Sequence, residues 1–290
     1  MKTLIIDGNN LVHRTFWVAK TQAKRINADD LEQLANFHIY FTLNAAFSYV
    51  TKYQPTKTIV VWDEKPEYKQ NTRKTEFAEY KGNRSSDPSP HQNNEVIKQM
   101  LKNLGIASIF PKEREADDIV AYICKTFKGQ KVIASVDRDF LQLVDEDTIL
   151  FDPIRKKEFT QDNFEEETGW STIKDWMVAK CCTGDKSDNV PGISRFGKAK
   201  IRKLINGNIF LNEEQQKIYD RNFRLFDLHQ ITDMSEECEY YEKQLNETVK
   251  PNWEEFLEEC EQRELNALLK KKDVWYNLFI FKSKLSQLLG

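Results

Sequence analysis

Long apolar runs, paired cysteines and an excess of positive charge are all missing from this 290-residue chain. No segment nears the roughly 18 uninterrupted apolar residues of a spanning helix, and the opening MKTLIIDGNN is too short an apolar run for a signal peptide. A cytoplasmic protein with no membrane partner is expected. The five cysteines (Cys124, Cys181, Cys182, Cys238 and Cys260) are odd in number and form no CxxC pair, which argues against a disulfide framework or a zinc site. His13, His38, His91 and His229 stand in no nucleophile motif, and no basic setting is visible for Cys181 or Cys182, so Ser-His-Asp and thiol catalysis find little support. The net charge of -3 excludes a nonspecific polyanion coat while leaving room for a local basic patch.

What is present is an alternation. Apolar, β-rich runs recur at TLIID (3–7), TIVVWD (58–63), ASIF (107–110), KVIASVD (131–137) and TILFD (148–152). Helix-like stretches lie between them, around Leu31 to Tyr53, Glu95 to Leu104 and 116–127. Strands alternating with helices predict an α/β fold with a mainly parallel central sheet flanked by helices, whose ligand site lies off the carboxyl ends of the strands. Beyond residue 152 the pattern turns helical, through Asp175 to Thr183, after Gly197, and in the amphipathic 253–272 segment. We therefore divide the chain into a 1–160 α/β core and a 161–290 helical region. The stretch GNRSSDPSPHQNN (82–94) reads as a mobile loop or gate.

Carboxylates gather at the element ends. Asp7, Asp63 and Asp137 each close an apolar strand, so a parallel sheet collects them at one edge. EREADD (113–118) opens a helix, where Glu115, Asp117 and Asp118 exceed what capping needs. SVDRDF reads either as extended backbone that projects Asp137 and Asp139 to one side or as an Asp-initiated turn, and Asp185 and Asp188 share a face if their segment is helical or make local Asx bonds if it is a loop. Two carboxylates about 4 Å apart repel by roughly 4 kcal/mol at an effective dielectric of about 20, so the group calls for cations. Oxygen ligands without His or Cys favour Mg²⁺, with Mn²⁺ as substitute, and a pair of such ions can activate water and steady the leaving oxygen of a phosphodiester.

Basic and aromatic residues form two patches. EYKQNTRKTEFAEYKGNR (67–84) interleaves Lys69, Arg73, Lys74, Lys81 and Arg84 with Tyr68, Phe77 and Tyr80; the cations suit phosphate oxygens and an aromatic suits stacking on an unpaired base. In GDKSDNVPGISRFGKAKIRKL (184–204), Pro191, Gly192 and Gly197 make a tight turn that brings backbone amides near a phosphate. Arg195, Lys198, Lys200, Arg202 and Lys203 follow the acids of that stretch closely.

Taken in order, IIDGNN, VVWD, the Arg73 region, EYKGNR, EADD, SVDRDF, GDKSDNVPG and KAKIRKL resemble the 5′-nuclease, or flap endonuclease, family over about two thirds of the chain. That family includes bacteriophage 5′-exonucleases, phage RNase H enzymes and the nuclease domain of bacterial DNA polymerase I. The resemblance implies a PIN-like core with one metal site held by Asp7, Asp63, Glu115, Asp117 and Asp118 and another by Asp137, Asp139, Asp185 and Asp188. It further implies that Lys81 and Arg84 contact the scissile phosphate under an arch, that Tyr80 stacks on a base, and that Arg73 joins the DNA contacts. Residues 184–205 then resemble a helix-three-turn-helix that grips duplex DNA through Gly192, Arg195, Gly197, Lys198, Lys200 and Arg202, with a K⁺ at its turn. Two departures stand out: Arg195 occupies the place of the turn's middle glycine, and the short span from Arg84 to Glu115 implies a short arch.

The expected activity is Mg²⁺-dependent, structure-specific cleavage near branch points, removing flaps or RNA primers during DNA replication. The expected partners are branched, flapped or nicked DNA and RNA–DNA hybrids, with replication proteins such as a polymerase acting in trans on a monomeric nuclease. A PIN-type RNA endonuclease and a catalytically inactive branched-DNA-binding protein are the alternatives.

Overall fold

A computed structural model describes residues 1–26, 30–63, 72–83, 87, 89–111, 114–229 and 235–281. Strand β1 (Lys2–Asp7) buries Leu4, Ile5 and Ile6 completely, so it is apolar on both faces. Such a strand belongs inside a parallel sheet covered on both sides. With β2 (Lys57–Val61), β3 (Ala107–Ile109), β4 (Gln130–Ala134), β5 (Thr148–Asp152) and β6 (Lys157–Phe159) it forms a sheet in the order β3-β2-β1-β4-β5-β6. The first five strands run parallel and β6 pairs antiparallel to β5. The mainly parallel sheet is as expected, whereas β6 was not anticipated, since three residues are too few to display a period. The turn before it is built by Asp152, whose Oδ1 accepts from the Ile154 and Arg155 amides at 2.9 and 3.0 Å.

In register, Ile6 lies beside Val60 and Ala134, so the carboxyl ends of β1, β2 and β4 finish together. The chain leaves β1 for β2 on one side and reaches β4 on the other, which makes this edge the switch point where α/β sheets place their ligands. Side chains alternate across the sheet. Leu4 and Ile6 pack with helices α1 (Gly8–Arg25) and α2 (Leu31–Tyr53). Beyond the short α3 (Thr72–Glu76), α4 (Asn94–Asn103) joins that same face through Ile97 and Met100. Ile5, Ile59 and Val61 face α5 (Ala116–Thr126) through Ile119, Val120 and Ile123.

The helical remainder begins with α6 (Phe164–Thr168) and α7 (Ile173–Thr183). The two-residue strands β7 (Gly184–Asp185) and β8 (Val190–Pro191) follow as a hairpin, then α8 (Lys198–Ile205) and α9 (Glu213–Phe226). Asp185 and Asp188 thus sit on a hairpin, not on a shared helical face. Gly192 is required there: a Cβ would fall 2.2 Å from the Thr183 carbonyl carbon, inside any real contact. Ile193, Phe196 and Ile201 close over Ala179 and Cys182 of α7, so the turn and α8 dock on α7 as one unit. Helices α10 (Ser235–Asn246) and α11 (Trp253–Gln262) then return to the sheet, Tyr241 and Leu245 joining the α5 face, Phe256 and Cys260 the opposite one with Trp275 and Phe279. Among the described residues no helix is long and apolar enough to cross a membrane.

Candidate active site

The carboxyl edge of the sheet carries the acids. Asp7 ends β1 and caps α1, its Oδ1 accepting from the Asn10 amide at 3.0 Å and its Oδ2 from Ser135 Oγ at 2.8 Å. Ser135, just past β4, also accepts from the Asp137 amide at 3.0 Å, so one hydroxyl ties together acids from two strands. Asp63 lies two residues beyond β2 and is held by Asn9, whose side chain exchanges 3.1 Å hydrogen bonds with the Asp63 backbone. Asp137 caps a 3₁₀ turn, Arg138–Leu143, and accepts from the Asp139 amide at 2.8 Å. Of the two readings of SVDRDF, the Asp-initiated turn is therefore the one the structure has, not the extended backbone. Asp117 stands in the first turn of α5.

These carboxyls are electrostatically uneasy. Burial pushes Asp7 up to about 6, outweighing its hydrogen bonds from Asn10 and Ser135. Burial also raises Asp117 well above the usual carboxylate range, helped by the negative charge of Asp137, Asp7 and Glu115 and opposed by Lys81. Asp139 is pushed up to about 6 by burial although the Lys180 ammonium touches it. Lys180 also lies 3.3 Å from Asp185, whose Oδ1 accepts from the Ser187 amide (2.8 Å), Ser187 Oγ (2.5 Å) and the Asp188 amide (3.3 Å). Burial raises Asp185, but the Ser187 and Lys180 contacts outweigh it and hold the carboxyl below its ordinary value.

A second focus differs in kind. Arg73 is buried, donating through Nη1 to Glu115 (2.9 Å) and Asp118 (2.9 Å) and through Nη2 to Asp118 (2.6 Å). Asp118 Oδ2 also accepts from the Glu115 amide at 3.1 Å, completing a capping box for α5. Glu115 Oε2 accepts in addition from Lys81 Nζ (2.8 Å) and Tyr80 Oη (3.2 Å). Three expectations are corrected here. Arg73 is an internal ion-pair partner with no solvent-facing guanidinium for DNA; Tyr80, 3% exposed, offers no ring face to a base; and Asp118 has both oxygens committed to Arg73. Arg84 lies outside the described residues, as do Tyr68 and Lys69. Of the 82–94 stretch, Ser89–His91 form a 3₁₀ turn with Pro90 buried and Asn94 already opens α4, so this end is anchored.

The 79–83 turn is stitched to the β7–β8 hairpin. The Lys81 amide donates to the Asp188 carbonyl (2.8 Å), Asn83 Nδ2 to the Lys186 carbonyl (3.0 Å) and Asn189 Nδ2 to the Glu79 carbonyl (2.9 Å). Two motifs about a hundred residues apart in sequence thus make one wall of the site. Asp188 is buried in that wall. On the far side, Arg195, Gly197, Lys198, Lys200 and Arg202 are exposed, and Arg195 takes a left-handed φ of 54°. The turn keeps the conformation of a glycine while carrying an arginine.

Sequence reasoning missed Lys180, Ser135 and the roles of Asn9 and Asn10. Lys180 precedes Asp185 by five residues on an otherwise unremarked helix, and only the fold brings it to Asp139. Among the described residues no three acidic, histidine or cysteine side chains converge tightly enough to form a ready coordination shell. The donors nonetheless suit a hard divalent ion: they are oxygens throughout, and burial disfavours the ionised form of Asp7, Asp117 and Asp139, a penalty that a bound cation would offset.

The chain belongs to the 5′-3′ exonuclease family: residues 2–169 match the model of the 5′-3′ exonuclease N-terminal resolvase-like domain. It is 31% identical to a 5′-3′ exonuclease of Aquifex aeolicus, over 94% of this chain and 96% of that one. It is 32% identical to DNA polymerase I of Lactococcus lactis subsp. cremoris, over 74% of this chain but 26% of that protein. The fold is similar to that of the bacteriophage T5 flap endonuclease in a complex with DNA and metal ions, with a TM-score of 0.62 and 18% identity over 91% of this chain and 99% of that one. The chain is accordingly a nuclease, a hydrolase, and the expected resemblance holds.

Proposed function

We propose that this chain is a divalent-metal-dependent, structure-specific 5′-nuclease that hydrolyses phosphodiester bonds near branch points, removing flaps or RNA primers during DNA replication. The observation that carries the reading is the gathering of Asp7, Asp117, Asp137 and Asp139 at one sheet edge, where burial raises Asp7, Asp117 and Asp139 against the pull of Lys81 and Lys180. Asp7, Asp63, Asp117, Asp137, Asp139, Asp185 and Asp188, with Glu115 behind them, would hold Mg²⁺, and Mn²⁺ would substitute. When bound, such ions supply an activated water and a stabilised leaving oxygen. The metal ions and DNA of the T5 flap endonuclease complex support this reading.

The chain's own residues divide the remaining work. Lys81, beside Glu115 and Asp117, would take a scissile phosphate oxygen as it exchanges partners. Lys180 restrains Asp139 and Asp185 against mutual repulsion. Gly192 to Gly197 and the exposed Arg195, Lys198, Lys200 and Arg202 would grip duplex backbone, with a K⁺ at the turn's carbonyls as part of the same reading. Hydrolysis within RNA–DNA hybrids and cooperation with a polymerase in trans complete it. Product mapping on a 5′-flap duplex, a nicked duplex and an RNA-primed duplex is the test. Mg²⁺-dependent cuts at the branch are expected, lost in Asp137→Ala and Asp185→Ala; full activity in either variant would discard the metal-site assignment.

A further inference from the structure

Helix α8 carries four exposed cations, and two of them rest on one aromatic ring. Lys198 Nζ lies 5.4 Å and the Arg202 guanidinium carbon 6.0 Å from the centroid of Trp170, on the segment between α6 and α7. Lys198 and Arg202 are four apart and so project to the same side of the helix. The preceding Gly169 caps α6 with a left-handed φ of 74°, and a Cβ there would stand 2.8 Å from Lys198 Nζ. Any other residue at this position would push the ammonium aside. Thr168 Oγ1 ties the Trp170 backbone to α6, accepting from the Trp170 amide at 3.2 Å while donating to the Phe164 carbonyl at 2.7 Å. The indole itself packs against the cluster that joins α7 to α8. The ring is thus fixed, and the two long side chains come to it.

We infer that Trp170 is a positioning residue that holds Lys198 and Arg202 in a preset pair for the phosphates of a bound duplex. This rests on reading α8 as the duplex-gripping helix. Long cationic side chains on an exposed helix lose rotamer freedom when they grip an anion, and a ring that orders them beforehand lowers that cost. A carboxylate could order them too, but would cancel the charge that attracts DNA; an indole face attracts a cation and leaves its charge in place. Among the described residues no carboxylate forms an ion pair with either cation.

Steady-state cleavage of a 5′-flap duplex by the full chain tests this, with Trp170→Leu, Trp170→Phe, and Trp170→Leu in a Lys198→Ala/Arg202→Ala background. Trp170→Leu should raise KM about five- to tenfold with kcat little moved, and Trp170→Phe should recover most of the loss. In the background lacking both cations, Trp170→Leu should add nothing. The dependence of log kcat/KM on log salt should keep its slope in Trp170→Leu, whose cations remain, and become shallower in the cation-free background. An unchanged KM in Trp170→Leu, or an equal loss when both cations are absent, overturns the inference and leaves Trp170 as packing. Should Lys198→Ala/Arg202→Ala itself leave KM unchanged, the duplex-gripping role of α8 fails instead, and the inference with it.

Discussion

Asp117 and Asp118 are neighbours in sequence, open the same helix, and end in opposite electrostatic conditions. Asp118 faces the Arg73 fork with both oxygens engaged, and its charge is fully answered. Asp117 faces Asp137, Asp7 and Glu115, with Lys81 as the nearest counterweight. The contrast repeats around them, since Glu115, paired with Arg73 and Lys81, belongs with Asp118, and Asp7, held by uncharged donors, with Asp117. Burying a carboxylate does not by itself mark a reactive site; burying it without a fixed partner does, because that charge is held in readiness for something outside the chain.

The largest expected effects test this contrast directly. Asp117→Asn should reduce metal-dependent cleavage about a thousandfold or more, several kcal/mol of transition-state stabilisation, while leaving the metal-free melting temperature unchanged or higher. Arg73→Met should do the reverse kind of damage, costing about 3–5 kcal/mol in urea unfolding because Asp118 would be left buried without its ion pair and Glu115 would lose one of its two cations. A cost under about 1 kcal/mol for Arg73→Met would erase the distinction between the two regions.

A titration sharpens it next. His38 is fully buried, its Nε2–H donating to the Val12 carbonyl at 2.9 Å and its Nδ1 lying 3.2 Å from the Asn93 amide nitrogen, and burial lowers it to about 4. The unfolded imidazole titrates near 6.5, so the unfolded chain binds a proton that the folded chain refuses. Stability from His38 is complete above that pH and falls by up to about 3 kcal/mol as pH drops toward 4. Asp7, raised to about 6, has the opposite sign, adding stability as pH falls from about 6 toward 4. In metal-free urea titrations at a series of pH values, His38→Gln should flatten the loss and Asp7→Asn remove the gain. Mg²⁺ should suppress only the second.

The smallest effect concerns the turn. A left-handed non-glycine residue costs roughly 1–2 kcal/mol, partly offset by glycine's greater freedom when unfolded, so Arg195→Gly should stabilise the chain by about 0.5–1 kcal/mol. The same change should raise KM for flap DNA about twofold by removing a phosphate contact, read from steady-state cleavage.

Asp7, Asp63 and Asp137 were legible because each ends a continuous apolar run, and the parallel arrangement those runs require brings their ends together. Arg73 and Tyr80 were misread as surface groups. Their segment is as polar as any exposed helix, and their burial depends on Glu115 and Asp118, about forty residues away, which no local pattern registers. The hairpin at Gly184–Pro191 and strand β6 were too short to carry a period, so the Asp185 segment stayed open between a helix and a loop with local Asx bonds; the Asx bonds are there, but the strands that frame them were not foreseen. Arg195 was visible as a departure, but its left-handed backbone needed coordinates.

The return of α10 and α11 to opposite faces of the sheet has a bearing on how the chain is made. Phe256, Cys260 and Trp275 belong to the same apolar cluster as Leu4 and Ile6, and Tyr241 and Leu245 to that of Ile5 and Ile59. A ribosome releasing residues 1–169 has delivered every strand of the six-stranded sheet and every acid at its carboxyl edge, while the β7–β8 hairpin with Asp185 and Asp188 and the apolar residues of α10 and α11 are still to come. Closure waits for contacts more than two hundred residues apart, so the nascent nuclease passes through a stage that is sticky, slow to fold and exposed to proteases until synthesis passes Phe279.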